Sequence, residues 1–226
     1  RYPASLTKMM TLYMLFEAMQ SGRVGPSTLI PVSAHAAGQP PSKLRLRAGD
    51  QITVEEAIRA LATKSANDVA AAVGEFLAGG SEERFAAMMT AKARQLGMRG
   101  TTFRNASGLH DPMQVTTARD MATLGLALRR RFPEKFAYFS ATEFAFRGKT
   151  VRGHNDLLGR VEGVDGIKTG YVRASGFNIV TSVRSGGKSL IVVVMGGRTA
   201  RARNDEVEAL IDRFLGRQPS VAYSAR

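Results

Sequence analysis

Cysteine is absent from the 226-residue chain. That excludes disulfides, thiolate metal sites and a cysteine nucleophile at once. It says nothing of compartment, because a core of this size needs no disulfide. Tryptophan is absent as well, and aromatic and basic residues nowhere interleave in the manner of a nucleic-acid platform. No apolar run reaches the roughly 18 residues of a membrane span; the longest, Met9 to Met19, is short and contains Glu17. The opening Arg1-Tyr2-Pro3-Ala4 lacks the charged-then-apolar layout of a signal peptide. Acidic residues are scarce: 19 Asp and Glu face 32 Lys and Arg, a net charge of +13. The cations are spread along the chain, apart from one run at Arg129-Arg130-Arg131. The balance reads as a basic solvated surface facing an anionic envelope or substrate, and no nucleic-acid partner is expected.

What is present is globular. Hydrophobic residues make up 44% and charged residues 23%, which excludes a disordered chain. Residues 5 to 20 read as a helix apolar nearly all round, hence buried. Residues 26 to 52 read as a long irregular stretch. Thr53-Val54-Glu55-Glu56 is a capping box for a helix over about 54 to 63. Further helices are expected over 66 to 78, from Ser81 to about Leu96, and from Thr117 to the Arg run before Pro133. The texture then changes. Residues 142 to 152 alternate, 176 to 184 and 189 to 195 are β-rich, and Ser185-Gly186-Gly187-Lys188 joins the last two as a hairpin. Residues 204 to 215 form a closing amphipathic helix. The order predicts an α+β fold with an antiparallel sheet. It reads as one domain over 1–226, with a helical lobe at about 26–140 and a sheet lobe from 1–25 and about 141–216.

Three short motifs carry chemistry. In Ser5-Leu6-Thr7-Lys8, the spacing puts the hydroxyl and the amine on one helical face. A Lys desolvated against an apolar helix loses part of its preference for the charged form and could take the Ser5 proton. Alone the motif is weak: roughly one match is expected by chance in such a chain, and Ser185 to Lys188 is a second. Taken alone, a Ser N-cap followed by a surface Lys is the better account. Ser65-Ala66-Asn67, between two predicted helices, could turn a proton-relaying hydroxyl and an amide into one cleft; a plain N-cap is the simpler account. In Lys168-Thr169-Gly170, Lys168 on a strand offers fixed charge to a substrate anion and would disfavour protonation of Lys8. Gly170 would let a substrate backbone approach. The N–H of Tyr171 with that of Ser5 could make an oxyanion hole. An edge-strand Lys that blocks aggregation is the alternative.

The three motifs in this order are the set shared by class A β-lactamases and penicillin-binding proteins. With its flanks the chain resembles the D-alanyl-D-alanine carboxypeptidases, the low-molecular-mass penicillin-binding proteins. The resemblance runs from Pro3-Ala4-Ser5-Leu6-Thr7-Lys8-Met9-Met10 through Lys64-Ser65-Ala66-Asn67-Asp68 and Phe103-Arg104-Asn105-Ala106-Ser107-Gly108-Leu109. It continues to Val164-Asp165-Gly166-Ile167-Lys168-Thr169-Gly170, Ser175-Gly176-Phe177-Asn178 and Val193-Val194-Met195-Gly196.

The resemblance implies a β-lactamase/transpeptidase-like fold: an antiparallel sheet flanked by N- and C-terminal helices, a helical lobe, and the active site between them. It implies Ser5 as the acylated nucleophile, Lys8 as its general base, Ser65 and Asn67 as the second motif, and Lys168 and Thr169 on the substrate strand. An Arg after the last core strand should hold the terminal carboxylate; spacing points to Arg203, with Arg201 as competitor. The implied reaction releases D-alanine from stem peptides ending in D-Ala-D-Ala, needs no metal or cofactor, and lets penicillins acylate Ser5. The implied location is the bacterial cell envelope, outside the cytoplasm. Relatives carry N-terminal strands before the Ser helix, whereas four residues precede Ser5 here, so those strands, a signal peptide, and any membrane anchor or C-terminal domain are expected outside this sequence. Tyr171 stands where relatives often differ. No E-x-x-L-N loop stands between Asn67 and Lys168, which points away from a β-lactamase. A D,D-endopeptidase or a β-lactam sensor shares every motif. His35, His110 and His154 read as surface or loop residues.

Overall fold

The computed structural model describes residues 1–216. Two apolar clusters organise it, one on each face of a three-stranded antiparallel sheet of order β5-β6-β7 (β5 Val164–Val172, β6 Gly176–Ser185, β7 Lys188–Gly197). Strand alternation sorts the side chains. Val180, Ile191, Val193 and Met195 join the larger cluster, and Ile179, Val192 and Val194 join the smaller. The smaller cluster is closed by Val207 and Ile211 of α7 (Ala200–Leu215). This helix begins four residues before the expected start because the Thr199 hydroxyl accepts the Ala202 N–H and caps it.

The larger cluster holds α1 (Lys8–Gln20), which is buried from Lys8 through Phe16. Around it pack α4 (Asn67–Leu77), α5 (Glu82–Gln95) and α6 (Ala118–Arg131). Ser81 and Thr117 cap α5 and α6 as their sequences require. The capping box on α3 (Val54–Arg59) forms in both directions, and the expected helix runs its length, but beyond Arg59 it widens into a π-helix over Ala60–Lys64. The stretch 26–52 is not irregular throughout. It contains β1 (Leu29–Pro31) paired with β2 (Gln51–Thr53), and the short α2 (Ala34–Ala37) between them. Strands this short carry little periodicity, and their pairing is long-range. The alternating segment is the hairpin β3 (Glu143–Phe146) and β4 (Lys149–Arg152). Residues 217–226 of the expected domain lie outside the described residues.

Candidate active site

Ser5 does not open an α-helix. It sits in a 3₁₀ turn, Ala4–Thr7, that leads into α1. A 3₁₀ turn has three residues, so positions i and i+3 eclipse, and Lys8 Nζ comes to 3.0 Å from Ser5 Oγ. Two features crowd the backbone there. Ala4 has φ +51°, a conformation L-residues rarely adopt. Gly108 approaches so closely that a Cβ on it would lie 1.8 Å from the Ala4 carbonyl oxygen, so no other residue fits.

Lys8 is fully buried. Its Nζ also donates to Asn67 Oδ1 at 2.7 Å and to the Ser107 carbonyl at 2.6 Å. Burial drives its pKa well below the usual lysine value. The positive charge of Lys168 lowers it further, while Asp68 and Glu82 act in the opposite sense. A neutral amine has two N–H donors and one lone pair. Asn67 and Ser107 take the donors, which leaves the lone pair for the Ser5 proton.

Asn67 opens α4, and its Nδ2 donates to the Pro40 carbonyl at 2.9 Å. The next residue, Asp68, is fully buried and accepts the N–H groups of Leu44 and Leu46, each at 3.1 Å. Ser65 does not cap α4. It lies in the left-handed region at φ +62°, and its buried hydroxyl has no hydrogen-bond partner. No bond joins it to Lys8.

Opposite stands β5, the edge strand of the sheet, which packs against the Ser5 turn. A Cβ on Gly170 would lie 3.0 Å from Ser5 N, so the missing side chain lets the strand close on the Ser5 turn. Lys168 is 2% exposed, and its Nζ donates only to the Thr169 carbonyl, at 3.0 Å. Burial, with Arg203 as a nearby like charge, lowers its pKa to about 7. Ser5, Ser65, Asn67, Thr169, Gly170, Tyr171 and Arg203 line one cavity of about 360 Å³. Arg203 is buried, held through Asn204 Oδ1 and the Asn178 carbonyl, while Arg201 points outward toward Asp205. Tyr171 is 54% exposed, with its ring 4.5 Å from that of Phe177. Ser185 and Lys188, the second match to the first motif, form the far β6–β7 turn.

Every residue expected at the site therefore lines this cavity or touches a residue that does. Three participants were not foreseen. The Ser107 carbonyl is a backbone atom without a side-chain signature, marked only by the glycine after it. Asp68 acts through loop amides distant in sequence. His154 is an exposed loop residue, as its sequence context suggests, but it faces the cleft. It lines the cavity, and burial and then the charges of Lys168 and Lys64 lower its pKa, against a hydrogen bond to the Lys64 backbone and the charge of Asp156. Among the described residues no cluster of His, Asp and Glu could hold a metal ion.

The family model for D-alanyl-D-alanine carboxypeptidase matches residues 1–199. The chain belongs to this family. It is 38% identical over 218 residues to the D-alanyl-D-alanine carboxypeptidase DacA of Escherichia coli, covering 93% of this chain and 54% of that one. Penicillin-binding protein 5 of Haemophilus influenzae superposes with a TM-score of 0.90 at 32% identity, over 96% of this chain and 64% of that one. The cefotaxime-bound penicillin-binding protein D2 of Listeria monocytogenes gives 0.82 at 30% identity, over 92% and 85%. The family's fold is the transpeptidase/β-lactamase one, and the mixed helices and antiparallel sheets here match it. The chain spans about half the length of the curated relatives it matches.

Proposed function

We propose that the chain is a serine D,D-carboxypeptidase that removes the terminal D-alanine of peptidoglycan stem peptides, and that β-lactams acylate the same Ser5. The observation that carries this reading is the wiring of Lys8: two oxygen acceptors hold its N–H groups and the third contact is the Ser5 hydroxyl.

Lys8 takes the proton as Ser5 Oγ attacks the penultimate carbonyl. The N–H groups of Ser5 and Tyr171 receive the developing oxyanion. Thr169, Lys168 and Arg203 hold the terminal carboxylate. Ser65, whose hydroxyl has no internal partner, returns the proton to the departing amine. Water then frees the acyl-enzyme. A β-lactam follows the first half of this route, a reading supported by the cefotaxime- and ampicillin-bound forms of the Listeria protein. The substrate places the protein in the bacterial cell envelope, outside the cytoplasm. No described helix is long and apolar enough to cross a membrane.

Intact mass after mixing with excess penicillin tests this: a one-to-one adduct mapped to Ser5 is expected, together with D-alanine release from diacetyl-Lys-D-Ala-D-Ala. An adduct that survives in Ser5→Ala sinks the assignment. An adduct without D-alanine release makes the protein a sensor.

A further inference from the structure

The two acceptors that orient Lys8, the Ser107 carbonyl and Asn67 Oδ1, are themselves held from outside the cleft. Residues 104–110 form no helix or strand, so side chains must satisfy their backbone. Gln114 Oε1 accepts the Arg104 N–H at 2.9 Å, and Asn105 Oδ1 accepts the Gly108 N–H at 2.7 Å. Thr11 Oγ1 donates to the Ala106 carbonyl at 2.7 Å. The Ala106 N–H goes to Glu82 Oε1, at 2.9 Å. Ala106 immediately precedes Ser107, so this bond fixes the backbone that aims the Ser107 carbonyl at Lys8.

Glu82 is the first residue of α5, but Ser81 already caps that helix. The Glu82 side chain is turned inward instead and is 11% exposed. Its second oxygen, Oε2, meets His35 Nε2 at 2.6 Å. A carboxylate only accepts, so His35 carries a proton on Nε2 and donates it. His35 lies on α2, with its ring half exposed. That helix is anchored in turn: Ser33 caps it and donates to Glu75 Oε2 at 2.6 Å.

The Asn67 side leads to the same place. Asn67 Nδ2 donates to the Pro40 carbonyl, and the neighbouring Gln39 donates through Nε2 to the His35 carbonyl at 3.2 Å. Both supports of Lys8 therefore run out to α2, and Glu82 joins them. Charge follows the same line. Lys8 is faced by Lys168 from β5, Asp68 from α4 and Glu82 from α5, and His35 by Glu82 and Glu75.

We propose that Glu82 is a positioning residue for the reaction at Ser5: by holding the Ala106 N–H it keeps the Ser107 carbonyl on Lys8 Nζ, and His35 holds its carboxylate in that pose. The proposal rests on the reading of Lys8 as the base that takes the Ser5 proton. Glu82 never touches the substrate. A loosened Ser107 carbonyl would let the Lys8 amine turn away from Ser5, which slows the chemical step and leaves the binding surfaces intact.

Rapid mixing with a fluorescent penicillin tests this, because it separates non-covalent binding from the acylation rate at saturation. In Glu82→Ala that rate should fall about tenfold, with non-covalent affinity changed less than about twofold. Glu82→Gln keeps an acceptor for the Ala106 N–H and should recover most of the rate at the top of the pH profile. It also removes a negative charge that favours protonated Lys8, so the acidic limb should move to lower pH than in the wild type. A loss confined to affinity, a Glu82→Gln as slow as Glu82→Ala, or an acidic limb that stays in place overturns the proposal. If Glu82→Ala does not fold by circular dichroism, the position of the limb in folded Glu82→Gln decides. A wild type that forms no adduct on Ser5 overturns the acyl-enzyme reading itself.

Discussion

The helical wall of the cleft and its sheet wall are wired differently. On the helical wall the polar atoms near Ser5 are tied down from within: Lys8 Nζ to three oxygens, Asn67 Nδ2 to Pro40, Asp68 to two loop amides. On the sheet wall Lys168 is as deeply buried as Lys8 but meets one backbone oxygen, while Thr169 and Tyr171 face open space. Groups that move protons must be oriented before the substrate arrives. Groups that bind it keep unfilled valences for the ligand to complete. Both lysines lie in one low-dielectric cleft, and the charge on the second helps keep the first neutral.

Breaking the helical wall should have the largest effect. Ser5→Ala should abolish penicillin acylation, read by intact mass. Lys8→Ala should slow it by about 10²–10⁴-fold with the chain still folded by circular dichroism. On the sheet wall, Lys168→Met should lower kcat/KM for carboxylate substrates by about 10- to 100-fold, the worth of one charge-assisted hydrogen bond.

That variant also sharpens the comparison through pH. In the mechanism proposed above neutral Lys8 is the active form, so acylation should rise with pH through its pKa. Removing the Lys168 charge lets that pKa rise, and the acidic limb of the pH–rate profile should move to higher pH. Stability gives the converse sign. Lys168 titrates at about 7 when folded, below its ordinary value of 10.5. Between those values the unfolded chain binds the extra proton, so this group's contribution becomes more favourable as pH rises. Lys168→Met should therefore be more stable than wild type at pH 7, with a margin that narrows toward pH 10. A constant margin in thermal melts would refute the assignment.

Asp68→Asn replaces one accepting oxygen with a donor facing an N–H. It should cost about 1–3 kcal/mol, seen as a Tm lower by several degrees. Tyr171→Ala, an exposed ring on Phe177, should change kcat/KM about threefold at most and shift preference among acyl groups.

Local signals were the readable part of this chain. Thr53, Ser81 and Thr117 cap their helices through bonds three residues long, so their sequence spacing announces them. The three motifs name their residues because side-chain identity is the chemistry. The unreadable part is long-range. The β1–β2 pair joins residues 20 to 24 positions apart, and nothing in three residues of either strand declares the other. The choice of Arg203 over Arg201 depends on which face α7 turns to the sheet. Ser65 looked like a cap; its left-handed backbone after the π turn removes it from that role.

The Asn178 side chain, fully buried, donates to the Tyr2 carbonyl at 3.0 Å and accepts from Gly196 N at 3.0 Å. One amide thereby clips the start of the chain to the last two strands, across 176 positions. The segment leading into the Ser5 turn is clipped in place only when β6 and β7 have been made and packed. During synthesis Ser5 emerges before β6 and β7 and has no competent surroundings until the chain beyond Gly196 is out. Covalent labelling by a fluorescent penicillin should therefore count finished molecules and ignore nascent or partly folded ones, which makes the antibiotic a folding probe for its own target.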